Sequence, residues 1–335
     1  MAITEQRDGY DRETAGDLPD VSVIVTARNA AAHLPLLLEA LDAQTLDQSR
    51  WELVLVDDES SDGTPEIAER HSRARVIRAT EHVGLPRGRN IGIAASRAPI
   101  IAFTDADCLP DPRWLELGLA RIESGGIDLL AGGITIPVAD NATIAALVDS
   151  ATYLDQERYT QRGFGAGANL WVRRRVFEDV GVFNELLESY GGDEEELCQR
   201  AMRHGATLLY APDVHVSHPP RVKMRELARK AFRLGFGLAA HRRYNDGPLG
   251  KHPRMYLQWR SYAPSRRIYN LERVRVQRPE SLRTRDLLGM YLVQHCCVQI
   301  PVAVGDLLGE LHQARLQRKE RSADRRPKAP DAPAS

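Results

Sequence analysis

The hydrophobic pattern splits the chain into an alternating part and a helical part. Short apolar, largely β-branched runs recur through the first third: Val21-Ser22-Val23-Ile24-Val25-Thr26, Leu53-Val54-Leu55-Val56, residues 74–77 and Ile100-Ile101-Ala102-Phe103. Each is bounded by polar or turn-forming residues and predicts a strand, with 21–26 and 100–103 reading as buried ones. Between them, apolar positions fall three and four apart. Leu34, Leu37, Leu38 and Leu41 set that period within residues 31–44 and predict an amphipathic helix. Thr64, followed by Pro65 and Glu66, predicts a helix start with Thr64 as its cap. Residues 84–95 predict a third helix. Strands alternating with helices imply βαβ units and a parallel sheet. Further on, the pattern predicts helices ending near Glu123 and over 141–155, 173–180 and 193–200, with strands over 129–136 and 207–210.

In such a sheet the loops after Val25, Val56 and Phe103 gather along one edge, where open α/β sheets bind ligands. Asp105 and Asp107 stand two residues apart at the end of one strand. Two close carboxylates repel, so holding both ionised favours a cation between them. A hard divalent ion that shares its shell with substrate phosphates suits the place; a plain surface turn has the same spelling. Asp193-Glu194-Glu195-Glu196 crowd a predicted helix start. There they complement the helix dipole or supply a catalytic carboxylate. His215 and His218 follow a predicted strand and are candidate metal ligands. Residues 163–169 are glycine-dense, as a ligand-hugging backbone or a mobile loop would be. No G-x-G-x-x-G opens the first helix, which argues against a dinucleotide cofactor.

Composition narrows the picture. The 335 residues fit one large or two modest domains. A formal charge of -1 gives no electrostatic footprint for nucleic acid. Four cysteines make neither a disulfide framework nor a zinc spacing, and fit a reducing, cytoplasmic setting. Residues 1–20 are polar, without an apolar signal core, and predict a flexible lead-in. Residues 313–335 are rich in Arg, Lys, Pro and Ala and predict a disordered tail.

Taken in order, these segments resemble family 2 glycosyltransferases of the GT-A fold. Val21 to Asn29 is similar to the family's opening strand and loop. Val56-Asp57-Asp58-Glu59-Ser60-Ser61-Asp62-Gly63-Thr64 is similar to its nucleotide loop, and Gly88-Arg89-Asn90-Ile91-Gly92 to the helix after its third strand. Asp105-Ala106-Asp107 resembles its metal motif. Residues 165–173 and 181–185 resemble its acceptor-side segment, and Asp193-Glu194 with Leu197 and Arg200 its catalytic acids. The resemblance covers about residues 21–219. It implies a Rossmann-like, mostly parallel central sheet flanked by helices. It implies transfer of a sugar, with inversion, from a nucleotide-sugar (a UDP-sugar) to an acceptor hydroxyl, in cell-envelope polysaccharide or glycolipid synthesis; the acceptor is expected to be a saccharide or, from the basic helix after Arg221, lipid-linked. Carried over residue by residue, Thr26, Asp57, Asp58, Arg89 and Asp105 bind the donor. Asp107, Asp105 and His218 hold Mn2+ or Mg2+. Glu194 is the base, with Asp193 as runner-up because the family's Glu-Asp stands here as Asp-Glu within four acids. The Gln-x-x-Arg-Trp motif of processive synthases is missing, Gln258-Trp259-Arg260 not matching it, which implies a non-processive enzyme.

From Arg221 the pattern changes. Arg and Lys line a predicted helix over 221–233 together with Leu227, Phe232 and Phe236, opening a helical extension over 221–312. Such a helix suits an anionic membrane surface or a packed, solvated face equally. Residues 287–305 hold no formally charged residue, but Gln294, His295, Gln299 and Pro301 interrupt them. A docked helical pair or interfacial segment is therefore expected rather than a span. Two rival readings remain: a nucleotidyltransferase, which would want a basic phosphate loop where Thr26-Ala27-Arg28-Asn29 stands, and a non-catalytic sugar- or partner-binding protein.

Overall fold

A computed structural model describes residues 3–4, 18–187, 192–244 and 284–324. Most of the lead-in, Gln258-Trp259-Arg260 and the chain beyond 324 lie outside them. The strands are β1 (Ile3–Thr4), β2 (Val21–Ala27), β3 (Trp51–Asp57), β4 (Ala74–Ala79), β5 (Ile100–Asp105), β6 (Leu109–Pro110), β7 (Leu129–Thr135), β8 (Asn169–Arg173) and β9 (Leu208–Ser217). Among the described residues they form one sheet in the order β1-β4-β3-β2-β5-β8-β7-β9-β6. The helices are α1 (Leu34–Asp42), α2 (Thr64–Glu69), α3 (Leu85–Ala95), α4 (Trp114–Glu123), α5 (Ile144–Thr152), α6 (Gln156–Gln161), α7 (Arg174–Val180), α8 (Asp193–Arg203), α9 (Met224–Tyr244), α10 (Thr284–Val293) and α11 (Ile300–Asp324).

The predicted βαβ block holds. β2 lies between β3 and β5, parallel to both, so Thr26 stands beside Val56 and Asp105. Its alternate residues feed two cores, since successive side chains leave opposite faces. Val23 and Val25 join Leu37, Leu41, Leu53 and Leu55 on one face; Ile24 joins Val54, Ile101 and Phe103 on the other. Thr64 departs from expectation: Gly63 precedes the helix in a left-handed conformation (φ 83°). The Thr64 hydroxyl instead accepts from Ala30 N–H (2.8 Å) and donates to Asp62, tying the loop after β3 to the loop after β2.

Beyond β5 the sheet is mixed. β8 is antiparallel to both β5 and β7, with Asn169 opposite Thr104. This reversal brings the glycine-dense segment before Asn169 to the edge where Asp105 emerges. Asn169, fully buried, fixes it: its Oδ1 accepts from Trp114 Nε1 (2.9 Å) and Trp171 Nε1 (3.2 Å), and its Nδ2 donates to the Gly133 and Val214 carbonyls. β9 is longer than predicted and runs through Pro212. A bulge between Gly132 and Gly133 absorbs the proline, whose carbonyl lies where a Gly133 Cβ would stand (2.5 Å). His215 therefore lies within a strand rather than past it.

The C-terminal elements form a helical layer. α9 lies along α11, in a contact so close that a Cβ on Gly235 would strike the Val302 carbonyl. α10 packs on α5 through Leu147, Val148, Leu227, Met290 and Val293. The uncharged run 287–305 thus divides between α10, a wider π-type segment Gln294–Gln299 and the start of α11. No helix among the described residues is long and apolar enough to cross a membrane. α11 continues to Asp324, past residue 313 where the tail was expected; Gln313, accepting from Arg243 (2.9 Å), is part of its packed face.

Candidate active site

Three loops and one helix start converge at the carboxyl edge of the central strands. The loops after β2 and β3 are laced together: Asn29 N–H donates to Ser60 Oγ, Ala31 N–H to Asp62, and Ser61 N–H to Asn29 Oδ1. Below this lacing, Thr26 Oγ1 and Asp57 Oδ1 are buried and have no hydrogen-bond partner. Orphaned buried polar atoms are rare enough to require an explanation, and two at one strand edge point to a bound ligand. Asp57 Oδ2 accepts from Ser60 N–H (3.3 Å). Asp58 differs from its neighbour. Its carboxylate accepts from Val83 N–H (2.6 Å) and pairs with His82 (2.8 Å), so it anchors the segment before α3.

At the end of β5, Asp105, Asp107 and Cys108 place one ligand atom each within 4.8 Å of one another. Burial, then the neighbouring Asp107, push the Asp105 carboxyl above its ordinary range. Cys108 is fully buried, and burial pushes its thiol well up, so it stays protonated and the hard oxygens are the better donors. His218 reaches the same place from just past β9, its Nε2 3.6 Å from Asp107 Oδ1. Its Nδ1 faces the Pro219 carbonyl at 2.8 Å. Nδ1–H donating there leaves Nε2 as a lone pair aimed at a carboxylate, an arrangement that a cation between them stabilises. His215 is elsewhere, between Thr135 and Asp111.

The acids of α8 separate by partner. Asp193 Oδ2 meets Arg89 Nη1 at 2.5 Å, and Glu194 Oε1 meets Arg89 Nη2 at 2.9 Å and the Gly167 N–H at 3.1 Å. Glu195 pairs with Arg162. Glu196 forms a fork with Arg200, which also donates to the carbonyls of Val180, Gly181 and Val182. Only Asp193 and Glu194 face Arg89. That residue, expected on the donor, is 4% exposed and has both terminal nitrogens engaged by the acids, with its guanidinium 5.3 Å from the Phe183 ring. It is a clamp for the acids rather than a free cation.

The two acids are inequivalent. Burial raises the Asp193 carboxyl well above its usual range, and Glu194 beside it adds to the shift. Burial acts on Glu194 too, but Arg89 and a hydrogen bond from Asp193 outweigh it and hold Glu194 below the usual range. The environment thus biases the shared proton toward Asp193 and the negative charge toward Glu194. Glu194 is also the reachable one, with 14% of its side chain exposed against 2% for Asp193.

Sequence reasoning missed two parts. Gly167 has no room for a side chain: a Cβ there would strike the Arg89 guanidinium and lie 2.9 Å from Glu194 Oε1. Its glycine-dense neighbourhood was the available signal. Asn90 joins two of the quoted motifs, accepting from Phe183 N–H and donating to the Phe183 carbonyl and Glu185. No periodicity marks such a bond, which spans 93 residues.

Residues 22–181 match the sequence profile of a family described as glycosyl transferase family 2. The chain is 39% identical over 225 residues to "Glycosyltransferase AglE" of Haloferax volcanii, covering 66% of this chain and 73% of that one. It is 29% identical to the "Pre-mycofactocin glycosyltransferase" of Mycobacterium tuberculosis, and it spans only 46% of that relative's length. Among solved structures, a Pyrobaculum calidifontis mannosyltransferase in complex with GDP-Man and Mn2+ shares the fold with a TM-score of 0.57 at 18% identity, over 87% of each chain.

Proposed function

The chain belongs to glycosyl transferase family 2, and on that premise we propose that it moves one sugar from a UDP-sugar to an acceptor hydroxyl with inversion. The observation that carries this is the meeting of two acidic groups around one cation. Arg89 holds Glu194 and Asp193 while also feeling the charge of Asp105. The candidate base and a candidate metal acid thus act on the same guanidinium.

The orphaned atoms support the donor. Thr26 Oγ1 and Asp57 Oδ1 offer one hydroxyl and one carboxylate oxygen. A uracil edge, with one N–H flanked by carbonyls, matches that pair. The donor set also fits a divalent ion, Mn2+ or Mg2+, held by Asp107 and Asp105 with His218 Nε2. Such an ion offsets the charge that builds on the departing nucleoside diphosphate. Glu194 takes the acceptor hydroxyl's proton as the oxygen attacks the anomeric carbon. Arg89, Asp193 and the Gly167 N–H hold that carboxylate in place and ionised. One base suffices for a single displacement, which inverts the centre. The rival nucleotidyltransferase and non-catalytic readings leave the Glu194–Arg89–Asp193 clamp without a role.

We place the enzyme at the cytoplasmic membrane surface. Leu288, Leu292, Ile300, Val304, Leu307 and Leu311 are each between 45% and 60% exposed, at spacings that keep them near one side of the α10–α11 layer. With the basic side chains of α9 beside them they suit an anionic bilayer. Binding to anionic liposomes that weakens with salt supports this placement; indifference to them removes it.

Calorimetric titration with UDP and GDP, with and without manganese, tests the main reading. UDP binding should require the metal and vanish in Asp107→Asn while thermal melting stays unchanged. Metal-independent binding, or unchanged affinity in the variant, overturns it.

A further inference from the structure

Next to the acidic pocket lies a second charged cluster that the transfer step does not use. Asp149, on α5, is fully buried. Its carboxylate accepts from the Arg221 N–H (3.0 Å), Arg221 Nη1 (3.2 Å) and Lys230 Nζ (3.1 Å). One buried anion therefore faces two cations whose side chains are only 19% and 11% exposed. Burial drives the Lys230 ammonium well below its usual range; Asp149 opposes that shift, and Arg221 adds to it. Both cations also lie over the Tyr153 ring, the Arg221 guanidinium at 4.6 Å from its centre. A ring face attracts a cation but carries no net charge.

A pocket opens on this cluster, lined by Arg221, Glu226, Arg229, Lys230 and Arg233. Glu226 is the one acid in the lining, and it pairs with Lys223 at 3.3 Å. Arg229 and Arg233, one turn apart on α9, are exposed, and among the described residues neither has an ion-pair partner. Four basic side chains therefore line one pocket; Asp149 behind it pairs with two of them, and Glu226 is paired with Lys223.

We propose that this pocket binds a phosphate or diphosphate ester carried by the acceptor, an inference that rests on the transferase reading above. Guanidinium forks and an ammonium arriving from several directions suit a tetrahedral, multiply charged oxyanion better than a planar, singly charged carboxylate. The donor's own diphosphate belongs at Asp105 and Asp107, so this is a second anion. Tyr153 connects the two places: it carries Lys230 and Arg221, and its ring meets His218 edge-on with centroids 5.8 Å apart. A phosphate held here keeps its ester group two side chains from the metal acids, on a helical layer whose exposed leucines can receive an alkyl chain. The same chemistry could come from a lipid headgroup or from a soluble phosphate ester.

The test is titration of the full chain with inorganic phosphate, octyl phosphate and octanol, in the native protein and in the double variant Arg229→Ala/Arg233→Ala. Both replaced side chains are exposed, so melting should not change. Phosphate-bearing probes should bind the native protein and weaken roughly tenfold or more in the variant, with octanol silent. Octyl phosphate binding well above inorganic phosphate assigns a lipid-type ligand; equal binding assigns a soluble ester. Failure of both phosphate probes to bind, or equal binding to native protein and variant, overturns the proposal. UDP titrated with manganese in parallel keeps the two readings apart. Its loss in the native protein sinks the transferase reading, whereas normal UDP binding with no phosphate response sinks the anion pocket alone.

Discussion

Replacing Glu194 by Gln isolates the base from the scaffold around it. The amide keeps the length of the side chain, and its carbonyl oxygen can still accept from Gly167 N–H and from Arg89. What is lost is the charge and the capacity to take a proton. A positioned base contributes about 10²- to 10⁴-fold, which is roughly 3–5 kcal/mol of barrier at about 1.4 kcal/mol per decade. The structure sets a limit on compensation. Removing the Glu194 charge leaves Arg89 facing only Asp193, which lowers the cost of ionising Asp193. That carboxylate is 2% exposed, so it is a poor substitute for reaching an acceptor hydroxyl. Transfer rate and UDP affinity in manganese, measured on the single amides of all four acids, make the assay. Glu194→Gln should lose about 10²- to 10⁴-fold in turnover with donor affinity unchanged. Glu195→Gln should turn over normally, because that acid is paired with a half-exposed Arg162. Glu196→Gln should turn over near normally but melt lower, by about 1–3 kcal/mol of stability, because it weakens the Arg200 fork that ties residues 180–182 to α8. Normal turnover in Glu194→Gln would refute the reasoning, and a dead Asp193→Asn beside it would move the base by one residue.

Asp193→Asn should keep activity within about tenfold, since an amide N–H stands in for the proton that burial favours on Asp193; a loss as large as that of Glu194→Gln would place the catalytic charge on Asp193. Because Glu194 is held below the usual range, it stays ionised as pH falls through ordinary glutamate values. Glu194 should therefore add no acid limb to kcat/KM above the ordinary glutamate range, and a limb near neutrality that disappears in Glu194→Gln would show that the pair titrates otherwise. Gly167→Ala should cut turnover by roughly tenfold or more with UDP binding retained, because the new methyl must displace the Arg89–Glu194 contact; wild-type turnover would mean the clamp is not needed. Asp149→Asn leaves Lys230 and Arg221 without their buried anion and should cost about 3–5 kcal/mol in denaturant unfolding. The Asp149 carboxyl is held low by these cations against its burial, so its contribution is full above about pH 3.9 and fades as pH falls through the lowered folded value; in the variant that acid-dependent part should be absent.

The sequence by itself determined the parallel block and the place of its edge. The runs ending at Thr26, Val56 and Phe103 are mainly apolar because both faces are covered, and a strand buried on both sides can be read without knowing its partners. The Asp105-Ala106-Asp107 spacing was likewise local, and so was the crowding of acids at the start of α8. What tertiary structure decided is which of those acids does what. Asp57 and Asp58 are adjacent, yet one is left with a free oxygen while the other anchors Val83 and His82. Asp193 to Glu196 share one helix turn, yet they are sorted by Arg89, Arg162 and Arg200, two of which are distant in the chain. The reversal of β8 puts Gly167 against Glu194, and the bulge of β9 at residues 212–214, opposite the Gly132–Gly133 step of β7, carries the strand past Pro212 to deliver His218 to Asp107. Hydrophobic periodicity is a property of consecutive residues, so it records burial and element type. The partner of a charged side chain is set by contacts between residues far apart in sequence, and no spacing along the chain encodes it.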